Sequence, residues 1–212
     1  MNRKLVLLMV CLAVLIGILF SAVFSAEISV GVKEGDWIEY QVTTTGTVPE
    51  EHDVEWAKFE VITVEGKTIY VTITLRYSNG TEETLSAPLN LETGQIGDAY
   101  IIPANLNSGD AFLEQYECTI TISGVEEKTC AGAKRSVVYA TTFHTVRYWD
   151  RSTGVLVEAT STFPDFTLIT KAEKTSMWQP QIFGLDPIVF IVLIVVAVVA
   201  VLAIFLILKI KK

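Results

Sequence analysis

Histidine and cysteine are scarce in this chain of 212 residues: His52 and His144 are the histidines, and Cys11, Cys118 and Cys130 the cysteines. A zinc site needs three or four Cys, His or carboxylate ligands, and no such grouping occurs at metal-binding spacing. The chain also lacks a Gly-x-Ser-x-Gly elbow and a phosphate-cradling glycine loop. Basic residues are few where a polyanion would meet them. Arg3, Lys4, Lys209, Lys211 and Lys212 lie at the two ends, whereas all 24 acidic residues lie between 27 and 186. That middle part holds 11 of the 16 basic residues against 24 acids, a net charge of −13. Such a balance excludes a phosphate-binding face for nucleic acid and docking on anionic headgroups. With no free nucleophile or metal cluster, the reading is a protein that is not an enzyme and needs no cofactor.

What the chain has in excess is hydrophobic sequence, 50% of all residues, concentrated at its ends. Asn2-Arg3-Lys4 followed by Leu5 to Phe20 has the charged and apolar regions of a secretory signal, with small residues at Ser21, Ala22, Ser25 and Ala26. Residues 1–25 are therefore expected to be a signal peptide. Cys11 lies too deep in the apolar run, behind Met9 and Val10, to suit a lipidation site. Ile188 to Leu208 is an uninterrupted apolar run of 21 residues, and at ~1.5 Å per residue it matches a hydrocarbon core of ~30 Å. Lys209, Lys211 and Lys212 follow, so the positive-inside rule places the C-terminus in the cytoplasm and the rest outside. A span without polar residues is an anchor rather than an ion path. The expected organisation is an extracellular domain over 26–178, a juxtamembrane linker over 179–187, a transmembrane helix over 188–208 and a cytoplasmic tail over 209–212. The linker holds Pro180, Gly184 and Pro187, which separate the last strand from the helix, and Phe183 suits the membrane interface.

Between the ends the pattern has period two. Ile38, Tyr40 and Val42 share one face, as do Ile69, Val71, Ile73, Leu75 and Tyr77. Further strands are expected at Trp56 to Val64, Glu82 to Leu91, Ala111 to Ile122, Lys134 to Trp149, Val155 to Phe163 and Phe166 to Trp178. Glu65-Gly66 and Ser78-Asn79-Gly80-Thr81 supply turns, and the stretch through Pro103, Asn105 and Asn107 is irregular, with room for one helical turn. Outside the ends no 12-residue stretch has a helical period. The fold class is all-β, an antiparallel meander forming a barrel, half-barrel or sandwich.

Several local features carry expectations. Gly35-Asp36, Gly97-Asp98 and Gly109-Asp110 read as turns that need a positive φ at Gly and an Asp side chain for nearby amides. Cys118 and Cys130 are symmetric about Gly124, so a hairpin centred there would face them across a disulfide, favoured in an oxidising exterior. Asn79-Gly80-Thr81 is a glycosylation sequon on a hairpin tip, and Asn-Gly is also the residue pair of a type I′ turn. His52 lies among Glu50, Glu51, Asp53 and Glu55, which without interleaved glycine reads as a solvated acidic loop. His144 reads as a strand residue with no partner for general-base work.

Gly31-Val32-Lys33-Glu34-Gly35-Asp36-Trp37-Ile38-Glu39-Tyr40, Ile102-Pro103-Ala104-Asn105-Leu106 with Gly109-Asp110, and Tyr148-Trp149-Asp150-Arg151-Ser152-Thr153-Gly154-Val155-Leu156-Val157-Glu158 resemble segments of uncharacterised, archaeal-type secreted or single-pass membrane proteins. The resemblance implies a surface protein of unassigned role. The last segment is also similar to the Trp-Asp-x-x-Thr-Gly hairpin of LolA/LolB-like lipoprotein carriers, which implies a curved sheet around an apolar cavity. Those carriers plug the half-barrel with helices, which this pattern lacks. Two readings follow. One is a membrane-anchored surface domain that contacts protein, glycan or envelope; the other binds a lipid or other apolar ligand in a concave sheet. A core filled by Tyr40, Phe59, Tyr77, Phe112 and Phe143 favours the first, and an open pocket of a few hundred Å³ the second.

Overall fold

The computed structural model describes residues 28–49, 52–94, 99–116 and 118–210, with side-chain surroundings given throughout except at Cys118 and beyond Val201 in the final helix. The signal-peptide segment, Glu50, Glu51, the Gly97-Asp98 pair and the two terminal lysines lie outside the described residues. Eleven strands are described: β1 (Trp37–Gly46), β2 (Val54–Glu65), β3 (Thr68–Tyr77), β4 (Glu82–Asn90), β5 (Ala111–Glu114), β6 (Cys118–Thr121), β7 (Gly124–Cys130), β8 (Ala133–Thr142), β9 (Thr145–Asp150), β10 (Leu156–Thr162) and β11 (Phe166–Thr175). One helix, α1 (Pro187–Ile210), follows.

Nine strands form a single antiparallel sheet in the order β4-β3-β2-β1-β11-β10-β9-β8-β7, and β5 and β6 pair separately. The sheet is not closed, since β4 and β7 are its two edges. It is nonetheless strongly curled. Leu75 of β3 and Thr145 of β9 line the same cavity, although five strand spacings separate them, roughly 24 Å in a flat sheet. Register shifts occur in β1, β2 and β10, and such bulges bend strands and increase twist.

The expected all-β meander is thus observed as a half-barrel, with two changes of detail. Ala111 to Ile122 and Lys134 to Trp149 are each two strands, the second broken by a turn at Phe143-His144. The chain around Gly124 is not a hairpin: β6 pairs with β5 and β7 pairs with β8. The alternation across 118–130 comes from two strands in different sheets. Cys130 is accordingly a free, buried thiol, and the expected Cys118–Cys130 disulfide is not formed. Burial pushes its pKa up to about 11, so the thiol is protonated and unreactive at neutral pH.

The core runs from Val32 to Trp178, and no described residue of α1 belongs to it. The sheet domain therefore closes its own core without the helix. The described side chains of α1 are apolar and broadly exposed, with Ile188, Val189, Ile191, Val195 and Val199 each at 48% or more. Among the described residues no helix is long and apolar enough to cross a membrane.

Candidate functional site

One end of the curled sheet is filled by the segment between β4 and β7. Leu91, Ile101, Ile102, Leu106, Phe112, Ile120 and Ile122 from this segment are buried. They meet Trp149, which is fully buried, donates from Nε1 to the Ala99 carbonyl at 2.6 Å, and stands edge-on to Phe112 at 5.7 Å. The half-barrel is plugged here by irregular chain and a small hairpin rather than by helices.

The Trp149–Val155 turn locks that plug. Asp150 is 1% exposed at its side chain. Its Oδ1 accepts from Ser152 Oγ at 2.7 Å and from the Thr153 amide and hydroxyl at 2.9 Å, and Arg135 Nε donates to Oδ2 at 2.7 Å. Burial alone would raise the Asp150 pKa, but Arg135, Ser152 and Thr153 together hold it below the ordinary carboxylate value. Gly154 sits at φ +73°, its amide donates to the Asp150 carbonyl at 2.8 Å, and a Cβ there would lie 2.0 Å from the Ile102 carbonyl oxygen. Arg151 reaches across to the Leu106 carbonyl at 3.0 Å and Asn107 Oδ1 at 2.6 Å, and a Cβ on Gly31 would fall 2.7 Å from the Ala104 Cβ and 2.5 Å from the Ser152 carbonyl oxygen. The three sequence segments singled out above therefore converge on one structural lock. Two of its turns are alike: Asp36 Oδ2 accepts from the Lys33 amide at 2.9 Å and Asp110 Oδ2 from the Asn107 amide at 2.8 Å, after Gly35 and Gly109 at φ +81° and +89°.

At the other end the sheet is hollow. A cavity of about 360 Å³ lies on the concave face, within the ~300–1,000 Å³ of small-molecule sites. Its floor is Tyr40, Ala57, Tyr100 and Leu156. The Tyr40 hydroxyl donates to the Leu156 carbonyl at 2.8 Å, and burial, with Tyr100 beside it, pushes its pKa well above the ordinary value. Val42, Val54, Leu75, Ala159 and Leu168 form apolar walls, and Thr145, Arg147, Ser161 and Thr170 add polar groups. Thr145 and Ser161 share a hydroxyl hydrogen bond of 2.9 Å, and Arg147 Nη1 donates to Thr142 Oγ1 at 2.9 Å.

His52 and Phe163 line the rim of this cavity, and His144 packs beside Phe163. His52 packs on Phe163 at 6.3 Å and Phe166 at 5.7 Å, His144 approaches Phe163 at 6.0 Å and Phe143 at 5.1 Å, and Phe163 stacks on Phe166 at 4.6 Å. His52 is exposed in the β1–β2 loop, as its acidic surroundings require, but the sequence pattern places His144 in a strand and Phe143 among core candidates. Instead His144 lies in the β8–β9 turn and Phe143 is 96% exposed. The available signal was the apolarity of Phe163 and Phe166 around Pro164-Asp165, too greasy for an ordinary turn. Among the described residues no group of three or more His, Cys, Asp or Glu could hold a metal.

Asn79 is exposed on the β3–β4 hairpin tip, with its Oδ1 accepting from the Thr81 amide at 2.8 Å. Of the Asn-Gly pair only Gly80 has positive φ, so the turn is not type I′.

No family model matches this sequence, and no curated protein matches it. Among solved structures, it aligns with one titled as showing that the siderocalin Ex-FABP functions through dual ligand specificities, over 66% of this chain and 70% of that one, at 10% identity and a TM-score of 0.24. That score carries no argument about fold or function.

Proposed function

We propose that the domain binds a lipid-like or other apolar small molecule in the concave face of its half-barrel, as a binding rather than a catalytic module. The observation that carries this reading is the open cavity of about 360 Å³, bounded by six strands of the sheet and left unfilled while the opposite end is packed. Of the five aromatics that a filled core would use, Phe143 points away from it. We further propose that α1 anchors the domain in a membrane, with the domain outside, the C-terminus in the cytoplasm and a cleaved signal peptide at the N-terminus. The unbroken apolar run to Leu208 and the lysines after it support this. The kinship with archaeal-type surface proteins and a glycan on Asn79 belong to the same proposal.

The test is native mass spectrometry on residues 28–186, which contain the whole core, before and after denaturation. A co-purified apolar molecule lost on denaturation is the expected result. A bare mass, with no uptake of added Nile red, overturns the reading. A second reading, contact with a surface protein or glycan, is favoured by the bare Phe143 on the rim; it predicts an empty domain whose partner is lost on Phe143→Ser.

A further inference from the structure

The cavity sets a few hydroxyls into an apolar field, and the strand registers fix their places. Val42, Thr170 and Ala159 stand side by side across β1, β11 and β10. One level nearer the mouth, Leu168 stands beside Ser161, which in turn pairs with Thr145 of β9. All six line the cavity. Thr170 is half-buried, and its hydroxyl has no hydrogen-bond partner among the described residues. Between Thr145 and Ser161 one hydroxyl donates to the other at 2.9 Å, so the accepting one keeps its own proton for a further bond. Arg147, by contrast, is engaged within the protein, with Nη1 donating to Thr142 Oγ1. The lining therefore presents two O–H donors to the cavity, on diagonal neighbours of β11 and β10 roughly 7–8 Å apart. A hydroxyl without a partner in apolar surroundings costs free energy. Neutral donors suit a neutral oxygen acceptor, whereas an ion placed on them would lose its hydration for too little in return. We propose that the ligand is an uncharged amphiphile with two oxygen functions, a fatty monoester of a polyol being the simplest such molecule. It enters tail first, its chain lies over Tyr40 and Leu156, its inner oxygen accepts from Thr170 and its outer one from the Thr145–Ser161 pair. At ~30 Å³ per water-sized group, a volume of about 360 Å³ holds about twelve such groups, enough for the ester and about eight carbons of chain. This rests on the apolar-ligand reading above and adds the chemistry of the polar part to it.

The experiment compares 1-octanoylglycerol, octan-1-ol and octanoate, three probes with one chain length, by titration calorimetry on residues 28–186. The monoester is expected to bind about fivefold or more tightly than either of the others, since one further neutral hydrogen bond is equivalent to roughly two- to tenfold in affinity. Thr170→Val keeps the branched shape and the strand preference and removes the hydroxyl. It should weaken the monoester about fivefold and leave octan-1-ol, whose lone oxygen sits at the outer pair, within about twofold. Thr170→Ser, which retains the hydroxyl, should recover most of the loss. Should Thr170→Val fail to fold, the order of the three probes on the wild-type domain decides. Octanoate binding as tightly as the monoester, or a monoester affinity unmoved by Thr170→Val, overturns the uncharged two-oxygen ligand and leaves the apolar-ligand reading standing. Binding of none of the three overturns both.

Discussion

At the end of the half-barrel where the linker leaves, Trp149, Phe112, Ile101 and Ile102 are buried to 5% exposure or less, and the Trp149–Val155 turn is held by Asp150, Arg135 and Arg151. At the other end, roughly 30 Å away along a ten-residue strand such as β11, ring stacks among His52, His144, Phe163 and Phe166 bound an open space. The same strands build both ends, so the difference comes from what lies on them. The chain between β4 and β7 fills one end, and the β1–β2, β3–β4, β8–β9 and β10–β11 connections stand over the other. Packing is concentrated at the locked end and open space at the rim.

Substitutions can break or sharpen that contrast. Trp149→Ala, at the locked end, should cost about 3–5 kcal/mol, read as a collapse of the denaturant midpoint, whereas Phe163→Ala at the rim should cost well under half of that. Equal losses would erase the division. Asp150→Asn should cost about 2–3 kcal/mol, because the Arg135 bonds are charge-assisted. Its effect has a sign in pH: since folding lowers the Asp150 pKa, the wild-type protein carries this stability above the ordinary carboxylate value of about 3.9 and loses it as pH falls through the lower folded value. The variant should show a flatter acid limb in urea titrations run from pH 6 downward. Tyr40→Phe, at the cavity floor, should cost about 1 kcal/mol for the bond to Leu156. Phe143→Ser should leave stability within about 0.5 kcal/mol, measured by thermal melting. Cys130, finally, should resist maleimide labelling in the native protein and react once unfolded, which tests the buried, unbridged thiol directly.

Much of the fold was legible because a half-buried strand writes its face in alternate residues. Ile38-Tyr40-Val42 and Ile69-Val71 point inward as their spacing requires, and Gly35-Asp36 and Gly109-Asp110 form the turns that their residue types ask for. Pairing partners were not legible. Cys118 to Cys130 keeps its alternation through Ser123, yet the chain changes sheets there, because periodicity reports exposure and not which neighbour a strand chooses. The site was less legible still. His52, His144 and Phe163 span more than 100 residues and meet only because β1, β9, β10 and β11 bring their turns to one rim. The irregular stretch through Ile101, Ile102 and Leu106 did carry a hint, since a surface loop would not be so apolar.

The two edge strands bear on the shape of the concave face. A closed barrel has a hoop of hydrogen bonds that fixes its girth, whereas this sheet ends at β4 and β7, with Pro88 and Glu82-Glu83 on one edge and Glu126-Glu127 on the other. Charges and proline keep those edges from recruiting further strands, so the sheet stays single. Its girth is then set by bending rather than by a fixed number of rungs. A sheet of this kind can widen or narrow its concave face by bending, which a closed barrel cannot do without breaking its ring of hydrogen bonds.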